Sequence, residues 1–387
     1  MVAYYYMKKI TALFILLFSF QSLFAQVEFI KRFINKMYID KDSSKKSNFV
    51  LVPALASSPE TGLEFGGAAL YSFYTDTVRH SITRVSNLYG YASITTKGQE
   101  KASLNASYWV PENKIHLKGT ISYINFPFDF YGLGNNTLKS NVEAIEEKRT
   151  ILGFGAEELV AKDLYAGIVT GGFKYYYYSG NYMQNIEFKT DPDIQDRNGG
   201  SSVYVGPSLI YDTRNSNTYT TKGLLINTYF EGIHGIFYNN HYVGGLFNVD
   251  FSDFFLLQRQ LVLAFDIKEQ SLVGGESPFY LMPQLGNDAL MRGYYTGRYR
   301  DRNLLAGQTE LRYRINDRIG LVGFAGTGQV AHNSFSISQF KPNYGGGFRY
   351  YFDTEKGLSI RMDYGIGEKV QDEARQSGFY IALGESF

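Results

Sequence analysis

From Phe49 to Phe387 the chain runs through sixteen stretches in which apolar and polar side chains alternate, each bounded by turn-forming residues. Successive side chains of a strand point to opposite faces, so a period of two predicts strands with one apolar and one polar face. No stretch approaches the roughly 20 consecutive apolar residues of a transmembrane helix. An even number of alternating strands is what a closed single-chain bacterial membrane barrel requires, with apolar residues toward lipid and polar ones toward the lumen. The expected strands are Phe49–Ala56, Leu63–Tyr74, Ser81–Thr95, Lys101–Trp109, Lys114–Phe126, Arg149–Val160, Tyr165–Tyr178 and Ser202–Asp212. They continue with Leu224–Glu231, Tyr242–Phe254, Leu261–Lys268, Leu304–Arg314, Ile319–Val330, Tyr344–Phe352, Leu358–Tyr364 and Gly378–Phe387.

The connections fall into two alternating classes. Pro111–Asn113, Lys162–Asp163, Asn316–Asp317 and Asp353–Gly357 are short, whereas 127–147, 179–201, 270–303 and 331–343 are long. Barrels place short turns in the periplasm and long loops outside, which makes Thr213–Gly223 the longest periplasmic turn. Composition agrees: 33 Tyr and 30 Phe suit aromatic girdles at two membrane interfaces, and a mean hydropathy of −0.22 follows from the alternation. A soluble β-sandwich is the alternative that these features weigh against. The net charge of +1 gives no footprint for nucleic acid, and the lack of cysteine fits export without a disulfide framework.

At the N-terminus, Lys8 and Lys9 precede the apolar run Ile10–Phe20 and then Ser22-Leu23-Phe24-Ala25, which is the layout of a secretory signal peptide over residues 1–25. Residues 26–48 then form a short periplasmic leader and 49–387 one outer-membrane barrel. At the other end Phe379, Ile381, Leu383 and Phe387 share one parity. A last strand that places Phe379 toward lipid and closes on Phe387 resembles the assembly signal that outer-membrane barrels present to their insertion machinery.

The long segment between the eleventh and twelfth strands, Gln270 to Asn303, carries Arg292-Gly293-Tyr294 near its middle. A connection of this length is rare without a role, and it either stands in solvent or folds back into the lumen. Parity places Gln308, Glu310, Arg312 and Arg314 on the lumen side of the twelfth strand and Ser359, Arg361 and Asp363 on that of the fifteenth. Asn248, Asp250, Asp266 and Lys268 join the same polar wall. Glu310 is therefore the expected lumenal partner of Arg292, joined by a charge-assisted hydrogen bond that a low dielectric strengthens.

These residues resemble the barrel of the BamA/TamA outer-membrane superfamily, also called bacterial surface antigens. Tyr211-Asp212-Thr213-Arg214 ahead of Gly223 is similar to its strand-turn-strand signature. Arg292-Gly293-Tyr294 is similar to the arginine-glycine-aromatic motif of its inward-folded sixth loop, and Glu310 with Arg312 to the strand that follows. Gly357 through Arg361 and Asp363 to Phe387 resembles the closing segment, so the likeness spans about Ser202 to Phe387. It implies a seam between first and last strands that is imperfectly paired; Gly378 and Gly384 weaken the last strand and Pro53 removes a donor from the first, while glycines in barrel strands equally serve to make room for bends.

Two departures stand out. Phe324-Ala325-Gly326-Thr327-Gly328 has glycine where the family usually carries an aspartate beside the loop arginine, which leaves Glu310 to hold Arg292 alone. The leader is also too short for the family's periplasmic repeat domains, the POTRA repeats, so a separate periplasmic partner is expected.

Asp191, Asp193 and Asp196 gather oxygen donors in one exterior loop and are the metal candidates, although their spacing is not that of a helix-flanked calcium loop and such residues also build ordinary turns. Five scattered histidines and the lack of an oriented serine and histidine give no support to catalysis, and no cofactor is expected. The resemblance implies a barrel that helps insert, translocate or export proteins or lipids at the outer membrane, in contact with lipid, the barrel-assembly machinery and a client. A passive small-solute channel and a structural or adhesive surface barrel are the alternatives.

Overall fold

A computed structural model describes residues 47–58, 62–76, 83–178, 188, 191–236 and 241–387. The expected signal peptide and nearly all of the leader lie outside them. Within them the sixteen expected strands occur one for one. They are β1 (Asn48–Ser58), β2 (Gly62–Phe73), β3 (Ser86–Thr95), β4 (Glu100–Trp109), β5 (Ile115–Phe130), β6 (Glu143–Ala161), β7 (Leu164–Tyr178) and β8 (Gly199–Asp212). The others are β9 (Gly223–Ile236), β10 (Val243–Gln258), β11 (Leu261–Gly274), β12 (Asn303–Arg314), β13 (Ile319–Ala331), β14 (Lys341–Asp353), β15 (Leu358–Ile366) and β16 (Ser377–Leu383). Each pairs antiparallel with the next in one sheet, in chain order.

The alternation sorts side chains as expected. In β12, Leu311 and Tyr313 are each 45% exposed on the outer face, while Gln308, Glu310 and Arg312 are buried on the inner one. Several strands outrun their apolar pattern. β6 begins at Glu143 because its ladder with β5 continues to the pair Phe130–Glu143, through the polar stretch Glu146-Glu147-Lys148. Backbone pairing needs no apolar side chain, so hydropathy marks where the pattern stops and not where the ladder stops. β11 likewise extends to Gly274, where φ is +131°, and the strand-free segment shrinks to 275–302.

The last strand requires a correction. β16 ends at Leu383, and Gly384, with φ +84°, turns the chain off the ladder. Phe379 and Ile381 keep the outward position, 63% and 59% exposed. Phe387 does not share it: its ring packs against Phe254 on the inner face, 5.8 Å between centroids, with the Arg312 guanidinium 4.5 Å above it. Parity arguments hold only while the backbone stays extended, and one glycine in the left-handed region resets them.

Among the described residues no ladder joins β16 to β1. The two sheet edges still approach at the short-turn end, where Asn48 Nδ2 donates to Asp353 Oδ2 at 3.0 Å and Lys356 Nζ lies 5.9 Å over the Tyr74 ring.

Three apolar clusters occupy the long-loop end, one of which joins Met282 of segment 275–302 to Ile233, Tyr242 and Leu272. Leu285, Leu290, Met291, Tyr294 and Tyr299 of segment 275–302 pack on Leu304, Ala306 and Val330 of β12 and β13. Phe279 and Tyr280 of the same segment pack on Phe130, Ile145 and Tyr177 of β5, β6 and β7. One segment thus makes apolar contacts with strands spread from β5 to β13.

Candidate functional site

The tip of segment 275–302 is built by a short polar residue. Asn287 Oδ1 accepts the amides of Ala289 and Leu290, both at 2.7 Å, and the Asn287 amide donates to the Leu290 carbonyl at 3.0 Å. Met291 follows at φ 57°, a conformation that costs a non-glycine residue about 1–3 kcal/mol and persists only where the surroundings fix it. Met291 is fully buried, and the turn it completes delivers the next residue, Arg292, to the inner face of the sheet.

There Arg292 is fully buried and forked between two strands. Its Nη1 lies 2.5 Å from Asp363 Oδ2 on β15, while Nη2 pairs with Glu310 Oε1 on β12 and lies 3.3 Å from Gln308 Oε1. The guanidinium sits 3.5 Å over the Phe324 ring centroid on β13. Glu310 therefore does not hold Arg292 alone. The glycine that replaces the family's aspartate has a steric explanation: a Cβ at Gly326 would come within 2.6 Å of both Asn343 Oδ1 and the Gly307 carbonyl. Gln308 and Asn343 use that space to hold the loop backbone, donating to the carbonyls of Ala289 at 2.8 Å and Arg292 at 3.2 Å.

Both carboxylates belong to a larger network. Glu310 also accepts from Arg312 Nε at 2.8 Å and Ser386 Oγ at 2.7 Å. Asp363 also accepts from Arg349 at 2.5 Å and Arg361 at 3.3 Å, and these arginines reach on to Glu385 at 2.8 Å and Asp288 at 2.5 Å. Four arginines (292, 312, 349, 361) face four carboxylates (288, 310, 363, 385), so the network is neutral overall, with Asp288 at its exposed edge. Sequence reasoning singled out Glu310, Arg312, Arg361 and Asp363 but missed Arg349, Glu385 and Asn343. Arg349 and Asn343 sit at inward positions of β14, where parity alone could have found them; Glu385 follows the turn at Gly384 and gave no such signal.

Gly293 and Tyr294 have separate reasons to follow Arg292. Gly293 has φ +107°, and a Cβ there would come within 2.8 Å of the backbone nitrogens of Ile366 and Gly367. Only glycine lets the loop lie this close to the end of β15. Its amide donates to Tyr380 Oη at 2.8 Å; the Tyr294 hydroxyl donates to the Pro342 carbonyl at 2.6 Å and accepts the Glu368 amide at 3.0 Å.

The loop is also tied from above. Arg298 pairs with Glu373 of the β15–β16 loop at 2.6 Å, and the Lys139 amide donates to the same carboxylate at 2.6 Å. Burial alone would raise the Glu373 carboxyl, but these hydrogen bonds hold it below the ordinary glutamate value. A folded pKa below the unfolded one, about 4.3, means the tie acts fully above that pH and is lost as pH falls through the depressed value. Pepsin cleavage around Arg298 in the parent, divided by that in Glu373→Gln at the same pH so that the protease's own pH dependence cancels, should therefore rise toward one on acidification below about pH 4. A ratio that does not change with pH would rule this out.

Asp212 and Arg214 lie at the opposite, short-turn end, joined at 2.8 Å, with Arg84 also paired to Asp212. They take no part in the Arg292 network. Asp191 and Asp196 brace a turn: Asp191 Oδ1 accepts the Asp193 amide at 2.9 Å, and the Asp196 carbonyl accepts the Gly199 amide at 2.8 Å.

The sequence offered no oriented serine and histidine, and here it misled. Ser107 Oγ lies 2.8 Å from His116 Nε2, and His116 Nδ1 lies 3.5 Å from Glu157 Oε2, with the imidazole stacked on Trp109 at 3.9 Å. The residues sit on β4, β5 and β6, three neighbouring strands with no shared sequence motif. Connectivity of this kind serves nucleophilic catalysis only with an oxyanion site beside the serine. The β4 backbone at Ser107 is paired on both sides, with β3 and β5, and Glu157 is engaged by Lys118 at 2.6 Å and Ser208 at 2.8 Å. The group thus has the character of a polar cross-strand brace.

A sixteen-stranded antiparallel sheet with an apolar outer face, and a loop arginine forked onto inner-face carboxylates, define a transmembrane β-barrel of the bacterial outer membrane. The Omp85 superfamily domain matches residues 87–387, and the chain belongs to that superfamily. The match begins well before Ser202, where the residue-level likeness starts. Among solved structures, the chain is similar to BamA from Haemophilus ducreyi lacking POTRA domains 1–3, with 12% identity, a TM-score of 0.53, and coverage of 88% of this chain and 70% of that one. It is also similar to CdiB from Acinetobacter baumannii (10%, TM-score 0.54, 88% and 60%) and from Escherichia coli (10%, 0.53, 89% and 63%). At such identities the likeness is one of fold, and the chain spans less than two thirds of either CdiB chain. No curated protein matches it by sequence.

Proposed function

We propose that the protein, exported through a cleaved signal peptide over residues 1–25, assists the insertion, translocation or export of proteins or lipids at the outer membrane. Superfamily membership and the likeness to BamA and CdiB support this class of work. The observation that carries the reading is the buried Arg292 fork. It fixes segment 275–302 against β12 and β15 while Phe279 and Tyr280 reach β5 to β7, so the loop fills the outer end of the lumen as a plug. A passive solute channel has no use for a lumen filled this way. On this reading the barrel-assembly machinery inserts the protein, lipid surrounds it, and its client arrives with a separate periplasmic partner.

The test compares outer-membrane proteome and lipid content in a deletion strain complemented with the parent protein or with Arg292→Ala. Selective loss of defined proteins or lipids, restored by the parent and not by the variant, is the expected result. An unchanged membrane with altered uptake of small solutes would instead establish the channel.

A further inference from the structure

The turn 213–222 between β8 and β9 has no part in the Arg292 network or in the role proposed above, yet among the described residues it is the most elaborately bonded periplasmic turn. It holds its own shape. Asn215 Oδ1 accepts the amides of Thr221 and Lys222 at 3.0 and 3.1 Å, Ser216 Oγ accepts those of Thr218 and Tyr219 at 3.3 and 3.2 Å, and the Thr220 hydroxyl donates to the Ser216 carbonyl at 2.7 Å. Such bonds make a folded lobe and not a floppy connection.

Its outward contacts are unexpected for its place in the sheet. β8 and β9 are the middle strands of the sixteen, so in a ring they stand across from the β16–β1 seam. The lobe nevertheless bonds the turns that flank that seam on both sides. Toward β1, Arg84 of the β2–β3 turn pairs with the carboxylate of Asp212, the last residue of β8 before the lobe, and donates to its carbonyl at 3.0 Å. Asn217 Nδ2 donates to the Val85 carbonyl in the same turn at 2.9 Å. Toward β16, the Thr218 hydroxyl donates to the Lys356 carbonyl of the β14–β15 turn. Tyr219 stands edge-on to Tyr351 at 5.3 Å and lies 5.0 Å beneath Arg314. The same β14–β15 turn needs a glycine beneath the lobe: a Cβ at Gly357 would come 2.4 Å from Tyr219 Cβ.

We propose that this lobe is a strap across the periplasmic mouth. It covers the lumen at that end and clamps together the two turns that flank the unpaired seam, so the seam cannot part there until the strap lets go. Among the described residues, Asn48 to Asp353 and Lys356 to Tyr74 link the edges directly, and the strap closes over them. The outer end of the lumen is held by the Arg292 loop and the inner end by the strap, two closures on separate residues.

Because the chain contains no cysteine, paired substitutions introduce the only thiols. Asn217→Cys with Val85→Cys tests one flank, and Thr218→Cys with Lys356→Cys tests the other. Each pair is treated with a short bismaleimide in outer membranes, and ion conductance is recorded in planar bilayers before and after linking, in the parent and Arg292→Ala backgrounds. Linking is expected for both pairs, with a several-fold drop in the conductance of Arg292→Ala barrels. Absence of linking in both pairs, or conductance unchanged by linking in both backgrounds, would overturn the strap. Heat-modifiable migration shows that each variant is folded. Neither readout involves a client, so the export role can fail while the strap stands, and the reverse.

Discussion

Arg292→Glu is expected to release the tip of segment 275–302 while leaving the barrel inserted. In the parent, the network of four arginines and four carboxylates is neutral. Replacing one guanidinium by a carboxylate brings a third negative group against Glu310 and Asp363, which are both fully buried. Removing one partner of a buried ion pair costs about 3–5 kcal/mol, because the other is left charged and out of water. A new like charge adds to that, and the cheapest relief is withdrawal of the loop tip. The cation–π contact with Phe324 and the bonds from Gln308 and Asn343 go with it. Three measurements read the outcome: lower resistance to denaturant, new protease cleavage within 275–302, and conductance that rises while heat-modifiable migration persists. Parent-like values in all three would show that Arg292 does not anchor the loop.

Asp363→Ala should be more damaging than Glu310→Gln. Asp363 receives three guanidinium groups, from Arg292, Arg349 and Arg361, whereas Glu310 receives two, from Arg292 and Arg312. Its loss leaves Arg349 with Glu385 and Arg361 with Asp288, the latter carboxylate being 55% exposed and so a weak substitute. Glu310→Gln keeps an oxygen acceptor and removes only the charge. The expected order of stability is parent, then Glu310→Gln, then Asp363→Ala, with the last pair separated by about 1–3 kcal/mol, the cost of leaving a buried polar group unsatisfied. Combining Arg292→Ala with each measures the coupling directly. An Asp363→Ala barrel as stable as Glu310→Gln would restore Glu310 as the principal holder of the loop.

The strands were legible because a membrane barrel writes its architecture into every second residue. Lipid on one face and polar contacts on the other act along the whole strand, so each run is detectable without its partners, and the register of β12 followed from Leu311 and Tyr313 against Glu310 and Arg312. The inward tail was not legible, since a single φ of +84° at Gly384 sends Phe387 to the opposite face from Phe379. Nor was the Ser107–His116 contact, which depends on the register between β4 and β5. The arginine motif stood between these cases: Arg292 and Glu310 were readable as a pair, and Asp363 as an inward residue, but not that it completes the fork.

The sequence by itself determined the number and order of the strands, the face each residue takes while it stays within a strand, and a long loop bearing an arginine that needs a carboxylate. Those features are local, set by a period of two and by the cost of charge in lipid. The tertiary structure alone decided which carboxylates meet Arg292, why Gly326 cannot be an aspartate, and that the 213–222 turn reaches across to Val85 and Lys356. Each of these depends on distances between strands far apart in sequence, which sheet curvature and loop path fix and no local pattern encodes.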